Sequence, residues 1–520
     1  MAKRILSIAF KAYQQHQTML LPPSLDELIS KEHPVRVVNE VLDKIDIDPL
    51  LKKYKGGGSS SFHPRMLLKV LVYAYINNTY SSRKIEAALK ENIHFMWLSG
   101  MSTPDHNTIN RFRSDRLKEV LRHVFTQVVI MLNEQGLLNI KELYTDGTKI
   151  EANANRYTFV WGNAIKTSKE RMIKQLGELW QYAQSIAAAE LPDTDPTNFK
   201  KIDARQVEQT IQQLNEVLKD RPDVSNKVKQ KLNYAKKNWP SSLNKYEQQE
   251  KILNGRNSYS KTDPDASFMR MKEDHMLNGQ LKPGYNLQVS SNNQYIVNYS
   301  LHQTTADTTT LQQHTELYKQ HYNTTPQTIT ADAGYGSEEN YQYLAQNNIE
   351  NYVKYNYLDK EQINKANKKN LFKSDTLFYN EQKDVYICPM GQSMQNIGTH
   401  QTKSKTGFTQ IITKYQAANC NGCPLRVVCH KAKGNRVIEV NHALRKYKQE
   451  VKQNLNSEIG IYYRKKRCAD VEPVFANIKN NHGYKRFQLR GKEKVETETG
   501  LLALAHNLRK KAQNSSKNAA

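Results

Sequence analysis

The stretch YTDGTKIEANAN, Tyr144 to Asn155, decides how this chain is read. Leu143, Tyr144 and Thr145 favour a strand, and the strand runs into Asp146 and Gly147. Glycine there lets backbone or ligand approach closely. Taken alone, Asp-Gly reads more readily as a turn pair. A second stretch has the same build. TITADAGYGS begins with a β-branched strand over Thr328 to Ala331, ends it on Asp332, and follows with Gly334 and Gly336. Two strand-end aspartates in matching settings strengthen each other.

Working outward, Tyr285 to Ser290 and Tyr295 to Leu301 are β-prone runs joined by Asn292-Asn293-Gln294, the pattern of a hairpin. A helix is expected from about Thr308 to Tyr322, another from about Ser337 to Gln346, and a strand from Asn351 to Lys354. The order is strand, hairpin, helix, strand, helix, strand. That is the order of a ribonuclease-H-like α/β fold, interrupted once.

The interruption is 163–255, a block rich in Lys, Gln and Glu. Val207, Ile211, Leu214 and Leu218 step by four, three and four, a coiled-coil-like seam. Pro192, Pro196, Pro222 and Pro240 divide the block into several helices. A spacer, a dimer contact and a DNA-guiding arm all fit it.

The predicted fold class is therefore α/β. A ribonuclease-H-like core occupies 138–162, 256–358 and 455–510, with 163–255 as a helical insertion and 359–454 as a second insert. An all-α N-terminal domain covers 1–137, and 511–520 is expected to be a disordered tail. Within the N-terminal domain, GGGSSS (Gly56 to Ser61) reads as a hinge. Leu67, Leu68, Val70, Leu71, Tyr73 and Ala74 read as a buried helix. Ser81-Ser82 starts a helix through Ile85 and Leu89. Thr103 as N-cap and Pro104 at the first helical position open a polar helix with His106, Asn107, Asn110, Arg111, Arg113 and Arg116. Helix, turn and basic helix is what a helix-turn-helix DNA reader needs; a bundle with a solvated last helix fits equally. Residues 117–137 form one more amphipathic helix.

The 520 residues hold 76 Lys and Arg against 51 Asp and Glu, a formal charge of +25. Such a surplus favours a polyanionic partner. Residues 461–520 alone carry 14 basic and 5 acidic side chains. The start, MAKRILSIAFKAYQQHQ, has too short an apolar stretch for a signal peptide, and no run of about 18 apolar residues exists to span a membrane. A bacterial cytoplasmic, nucleoid-associated protein is expected.

Cleaving a phosphodiester needs an activated water or hydroxyl and a stabilised leaving oxygen, which divalent ions held by carboxylates provide. Glu472 is the third candidate carboxylate, in RKKRCADVEPVFANIKNNHGYKRF. Pro473 makes it an N-cap or the site of a kink. Lys479 lies two helical turns on, and Arg464 to Arg467 lie just before. Glu151, Asp307, Glu338 and Glu339 are weaker candidates; the last two suit a helix start, and Asp307 suits a cap.

With these residues in place, the chain resembles a DDE transposase of bacterial insertion sequences, from the group with a helical N-terminal domain and an insert-bearing catalytic domain. The likeness runs through DHNTINRFR (Asp105 to Arg113), YTDGTKIEANAN, DPDASFMR, GQLKPGYNLQ, TADAGYGS (Thr330 to Ser337) and VEPVFANIKNNHGYKRFQLRG (Val471 to Gly491). The resemblance implies that Asp146, Asp332 and Glu472 form an acidic triad for Mg²⁺ or Mn²⁺. It implies that Arg467 and Lys479 touch DNA; Arg111, Arg113, Arg116, Lys485 and Arg486 are further candidate contacts. Water would cut each end of a mobile element, and the freed 3′-hydroxyl would attack target DNA. The partners would be double-stranded DNA with terminal inverted repeats, target DNA and a second copy of the chain, because two ends must be held. The sequence departs from the family's Tyr-Arg-Glu-Lys spacing: Arg467 sits five residues before Glu472, and Cys468 stands where an arginine is often found. A sequence-specific DNA-binding protein and a ribonuclease-H-like nuclease without transposition are the rival readings.

Five cysteines, an odd number, argue against a secreted disulfide scaffold. Cys388, Cys420, Cys423 and Cys429 supply four thiols, enough for a structural Zn²⁺ site; reduced structural thiols are the alternative. His430 could stand in as a ligand, and Cys468 reads as a bystander.

Overall fold

The computed structural model describes residues 23–54, 61–191, 203–219, 221–271, 280–363 and 372–519. Gly56 to Ser60 of the expected hinge, Pro192 and Pro196 lie outside them. The chain divides into two compact units, Met1–Phe112 with Leu508–Ala520, and Arg113–Asn507.

The smaller unit is helical. Two of its helices, Pro34–Lys44 and Pro64–Ile76, start alike: proline takes the first position, where no N–H is needed, and the ring of His33 or His63 accepts the backbone N–H two residues on. Pro64–Ile76 is buried nearly all round, as its composition predicts. Ser82–Glu91 and Ile93–Ser99 follow, then the polar helix His106–Arg111. Its cap is Asp105, whose carboxylate accepts the Thr108 N–H at 2.8 Å, and not Thr103. The cap therefore falls two residues later than the Thr-Pro pair suggests. His106 ties this helix to Ser82–Glu91 through Glu86, at 2.7 Å. The residues at the other end of the chain are helical as well. The helix Lys492–Ala519 runs through most of the stretch expected to be a tail.

The larger unit is built on a mixed sheet. We label its strands β1 (Glu142–Glu151), β2 (Ser267–Arg270), β3 (Leu281–Asn292), β4 (Tyr295–His302), β5 (Thr328–Ala331) and β6 (Glu350–Val353). β3 and β4 form the expected hairpin, turned by Asn293 and Gln294, both with positive φ. The lateral order is β4-β3-β1-β5-β6; β3 is antiparallel to β1 and β4, while β5 and β6 run parallel to β1. β2 pairs with the start of β3. The exposed edge of β4 is covered: Asn507 donates to and accepts from the backbone of Ile296, both at 2.8 Å.

Helix Leu121–Glu134, expected in the N-terminal domain, belongs to this sheet instead. Phe125 meets Tyr299 edge-on, and Arg122 lies over the Tyr299 ring and donates to its carbonyl at 2.7 Å. Its apolar stripe needs a partner, and the hairpin supplies one. Among the described residues the insertion holds the α-helices Gly162–Ala187, Ala204–Leu218 and Asn226–Leu253, with a core of their own around Trp180. All four seam residues, Val207, Ile211, Leu214 and Leu218, are buried. Pro240 does not divide the block; it lies inside the 28-residue helix. A second, five-stranded antiparallel sheet spans Phe378 to Val440.

A chain of buried polar groups crosses the main sheet. Thr145 Oγ1 meets Ser290 Oγ (2.7 Å), which meets His314 Nε2 (2.8 Å); His314 Nδ1 meets Ser300 Oγ (2.6 Å), which meets His302 Nε2 (2.7 Å). Burial holds the His302 pKa down at about 4, with Lys492 adding to it, and burial also lowers that of His314. Both are neutral in the fold. Their folded pKa values lie below the unfolded ones, so the unfolded chain takes up protons first and stability falls as pH falls. For His302 alone this amounts to about 3 kcal/mol, lost between about pH 6.5 and its folded value near 4. Urea unfolding over that range should show wild type losing about 3 kcal/mol more than His302→Asn; parallel losses would rule the account out.

Candidate active site

Asp146 stands in the middle of β1, not at a strand end. It lies opposite Val289, and the ladder to β3 continues to Glu151 opposite Gly284. The Asp-Gly pair does not turn because Gly147 keeps extended backbone and pairs with Gln288. Alternation puts Tyr144 and Asp146 on one face of the sheet, Thr145 and Gly147 on the other. Asp332 ends β5 as expected. The parallel register pairs Ala331 with Thr145, so Asp332 falls beside Asp146. Its carboxylate accepts the Gly334 N–H at 2.8 Å and caps the short 3₁₀ turn Ala333–Tyr335.

A third carboxylate joins them. Asp307 opens the turn after β4 and accepts Asn286 Nδ2 at 2.7 Å and Gln288 Nε2 at 3.0 Å. Two glycines make room for it. A Cβ on Gly147 would strike Gln288 Nε2 and come within 2.8 Å of Asp307 Oδ1. A Cβ on Gly334 would lie 2.9 Å from Asp332 Oδ1 and 3.8 Å from Asp307 Oδ2. Asp307 therefore lies near Asp332 and on the Gly147 face of β1, opposite the Asp146 side chain. The buried Tyr335 phenol registers all three. Burial pushes its pKa well up, and the charges of Asp307, Asp146 and Asp332 push it further. It stays protonated and donates to Gln288 Oε1. That bond turns the Gln288 amide so that its N–H₂ faces Asp307. Asp307 is the residue that sequence reasoning passed over as a cap; its signal was spacing just beyond a hairpin strand, which is weak.

The helix Glu458–Ala476 crosses the face that carries Asp146. Tyr463 packs near Tyr144, and Lys466 lies over the Tyr144 ring. Arg467 Nη1 stands 3.5 Å from Asp146 Oδ2, with both side chains close to nine-tenths buried. The structure thus gives Arg467 an acid partner, where a DNA contact was expected. Asp470, also buried, accepts Ser291 Oγ at 2.6 Å and the Gln294 N–H at 2.9 Å, which fastens the hairpin turn to the helix. Pro473 sits inside this helix and neither caps nor ends it. Proline has no N–H for the carbonyl of Ala469, and Gln294 Nε2 takes that carbonyl at 2.9 Å. A π-helical turn, Asn477–Asn481, follows.

Glu472 is on this helix but exposed, and makes no hydrogen bond or ion pair among the described residues. Five residues separate it from Arg467, about 140° around the axis at 100° per residue, so the two point to different sides. The register sets Asp332 beside Asp146, Asp307 lies near Asp332, and Glu472 is not brought to them. Among the described residues no three His, Cys, Asp or Glu side chains already stand as a metal-holding group. The donors nonetheless suit a hard divalent ion in kind, since all are carboxylate oxygens.

The expected DNA contacts divide. Arg111, Lys485 and Arg486 are exposed and Arg116 is half-buried. Arg486 also donates to the carbonyls of Ala152 and Ala154, both at 3.1 Å. Arg113, 3% exposed, and Lys479, 4% exposed, are in the interior and present no surface to DNA. The π-helical turns that hold them, Phe112–Arg116 and Asn477–Asn481, shift the facing that a regular helix would give. Of the other acids, Glu151 is held by Arg156 at 3.0 Å, and Glu338 accepts Gln410 and Asn441 side chains.

Comparison with known families gives two matches. Residues 387–512 match the family described as Transposase DDE domain, and residues 23–115 match Transposase domain (DUF772). Both matched stretches are thus similar to transposase domains, the longer of them to one of the DDE class. No curated protein and no solved structure matches the chain. Among the described residues no helix is long and apolar enough to cross a membrane.

Arg467→Met would remove the guanidinium that stands 3.5 Å from the nearly buried Asp146 carboxylate. The expected cost is about 3 kcal/mol, and adding Asp146→Asn should restore most of it. Chemical denaturation of the four proteins measures this; a single mutant as stable as wild type would contradict the pairing.

Proposed function

We propose that the chain catalyses metal-dependent DNA strand cleavage and strand transfer at the ends of an insertion-sequence element. The observation that carries this is the placement of Asp146 and Asp332 side by side on parallel-paired strands, with Asp307 close to Asp332. The lateral order β4-β3-β1-β5-β6, antiparallel on one side of β1 and parallel on the other, supports a ribonuclease-H-like reading of the sheet. Net charge +25 supports a DNA partner. Holding two ends calls for a homodimer, and the nucleoid is the corresponding workplace.

Asp146 and Asp332 would hold Mg²⁺ or Mn²⁺, with Glu472 as third ligand by the family resemblance. A divalent ion so held supplies activation of the attacking oxygen and stabilisation of the leaving one. The chain's own residues do the rest by positioning. Gly147 and Gly334 leave the carboxylates uncovered. Tyr335, through Gln288, fixes Asp307. Arg467 stands 3.5 Å from the Asp146 carboxylate and holds it toward the helix. In the form described, Asp146 is engaged by Arg467 and Glu472 faces outward. The reading requires Glu472 to come inward when DNA binds, and the π-turn that closes its helix is where a helix reorients most easily.

Asp146→Ala should abolish cutting of a duplex carrying the element ends while binding in a gel-shift assay persists. Cutting of an RNA–DNA hybrid alone, with the duplex untouched, would favour the nuclease reading and overturn this one. The third carboxylate is tested separately. Glu472→Gln should slow single-turnover cleavage at least about a hundredfold, the scale of losing one charge-stabilising group, and Asp307→Asn about tenfold. A fully active Glu472→Gln beside an inactive Asp307→Asn would transfer the role to Asp307.

A further inference from the structure

The five-stranded sheet of Phe378–Asn380, Val385–Ile387, Ser393–Lys403, Thr409–Ala417 and Val437–Val440 has a small core. Leu377, Tyr386, Met394, Tyr415, Ile438 and Val440 supply most of it, and Cys420 is buried among them. So few apolar residues stabilise a lobe weakly, and lobes of this kind usually carry a staple. The connection from Ala417 to Val437 is long and contains only the four-residue helix Arg426–Cys429. Polar contacts hold it: Arg426 donates to the carbonyls of Cys420, Ala432 and Lys433, and Cys420 N–H donates to Asn435. Val427 and Val428 at its surface are 88% and 63% exposed, so apolar burial does not fold this segment.

Four thiols meet where it closes. Cys388 leaves strand Val385–Ile387 into a tight turn: its N–H donates to Gln392, its carbonyl accepts from Gly391, and Gly391 has φ 81°. Cys420 and Cys423 flank a second turn with Gly422 at φ 69°. Cys429 ends the short helix. All four line one cavity of about 20 Å³, room for one ion or water and nothing larger. All are free thiols. Arg436 brings its N–H to 3.3 Å from Cys420 Sγ and its guanidinium to 3.0 Å from Cys429 Sγ.

We propose that Cys388, Cys420, Cys423 and Cys429 form a structural, tetrahedral Zn²⁺ site that ties the two glycine turns and the short helix together. Zn²⁺ takes four thiolates at about 2.3 Å, and each thiol gives its proton to solvent on binding. The sulfurs stand wider apart than such a shell, as no metal-holding group is formed among the described residues. Without an ion, thiols pack as small apolar groups and nothing pulls them inward. All four cysteines nonetheless line the same small cavity, on turns and a helix end that face it. The finished site carries surplus negative charge, and Arg436 offsets it. His430 lies beside the site with both ring nitrogens buried and without partners among the described residues, yet it stands outside the four-sulfur set.

The full chain, purified under reductant without chelator, should contain about one zinc per chain by elemental analysis. A thiol-blocking mercurial should release it to a colorimetric indicator. Cobalt exchanged into the site should show the visible bands of tetrahedral tetrathiolate coordination. Cys388→Ser and Cys423→Ser should each lose the metal; Cys468→Ser and His430→Ala should keep it. Should the serine variants fail to fold, wild type decides: a strong chelator must lower its Tm. Metal-free protein with all thiols reactive, two disulfides, iron with an iron–sulfur absorption, or zinc lost from His430→Ala would each overturn the assignment. None of these readouts involves DNA, so the result stands apart from the transposition reading.

Discussion

Strand β1 is hydrogen-bonded on both sides, and the arrangement of the site depends on that. On one side the antiparallel ladder to β3 sets which residues face each way; on the other the parallel ladder to β5 sets how far along Asp332 falls. A slip of one residue in either pairing would send Asp146 to the opposite face and leave Tyr144 and Thr145 exchanged. The register is strongly specified, because both faces of β1 are covered. Tyr144 is packed under Tyr463 and Lys466, and Thr145 is bonded to the buried serine–histidine chain. Over a hundred residues between β1 and β3 do not disturb this. Loop closure costs rise only slowly with length, and the inserted helices bury their own apolar faces.

Much of the fold was legible because its signals are local. The hairpin announced itself by β-prone runs around Asn293 and Gln294, two residues able to take positive φ. The helical seam was legible as a period, and Asp332 as the end of a β-branched run. The misreadings share a cause: they concern what a residue faces. Asp-Gly at 146 and 147 reads as a turn until β3 and β5 pair across it. Pro240 reads as a break until the helix around it is packed. Arg113 and Lys479 read as surface cations, and two π-helical turns place them inside. Asp307 was only weakly marked by its spacing after the hairpin, because its partners, Asn286 and Gln288, come from the strand β3 and not from its own neighbourhood in sequence.

The helix Glu458–Ala476 shows how one irregularity can be used by another. Pro473 removes a donor, and the free Ala469 carbonyl becomes the acceptor for Gln294 at the tip of the hairpin. Asp470 holds the same tip from the next residue along. The helix is therefore anchored to the sheet at Tyr463, Arg467 and Asp470, all upstream of Glu472. Glu472 itself points outward, between Val471 and Val474, which are fully buried, and the backbone leaves α-helical geometry only after Ala476.

The contact between Arg467 and Asp146 has one more consequence. An acidic group taken out of water needs a compensating charge, and here the guanidinium supplies it from within the chain. A nearly buried pair is screened little, so this contact depends only weakly on the salt around the protein. A divalent ion, on the reading proposed above, would meet Asp146 as a competitor of an arginine.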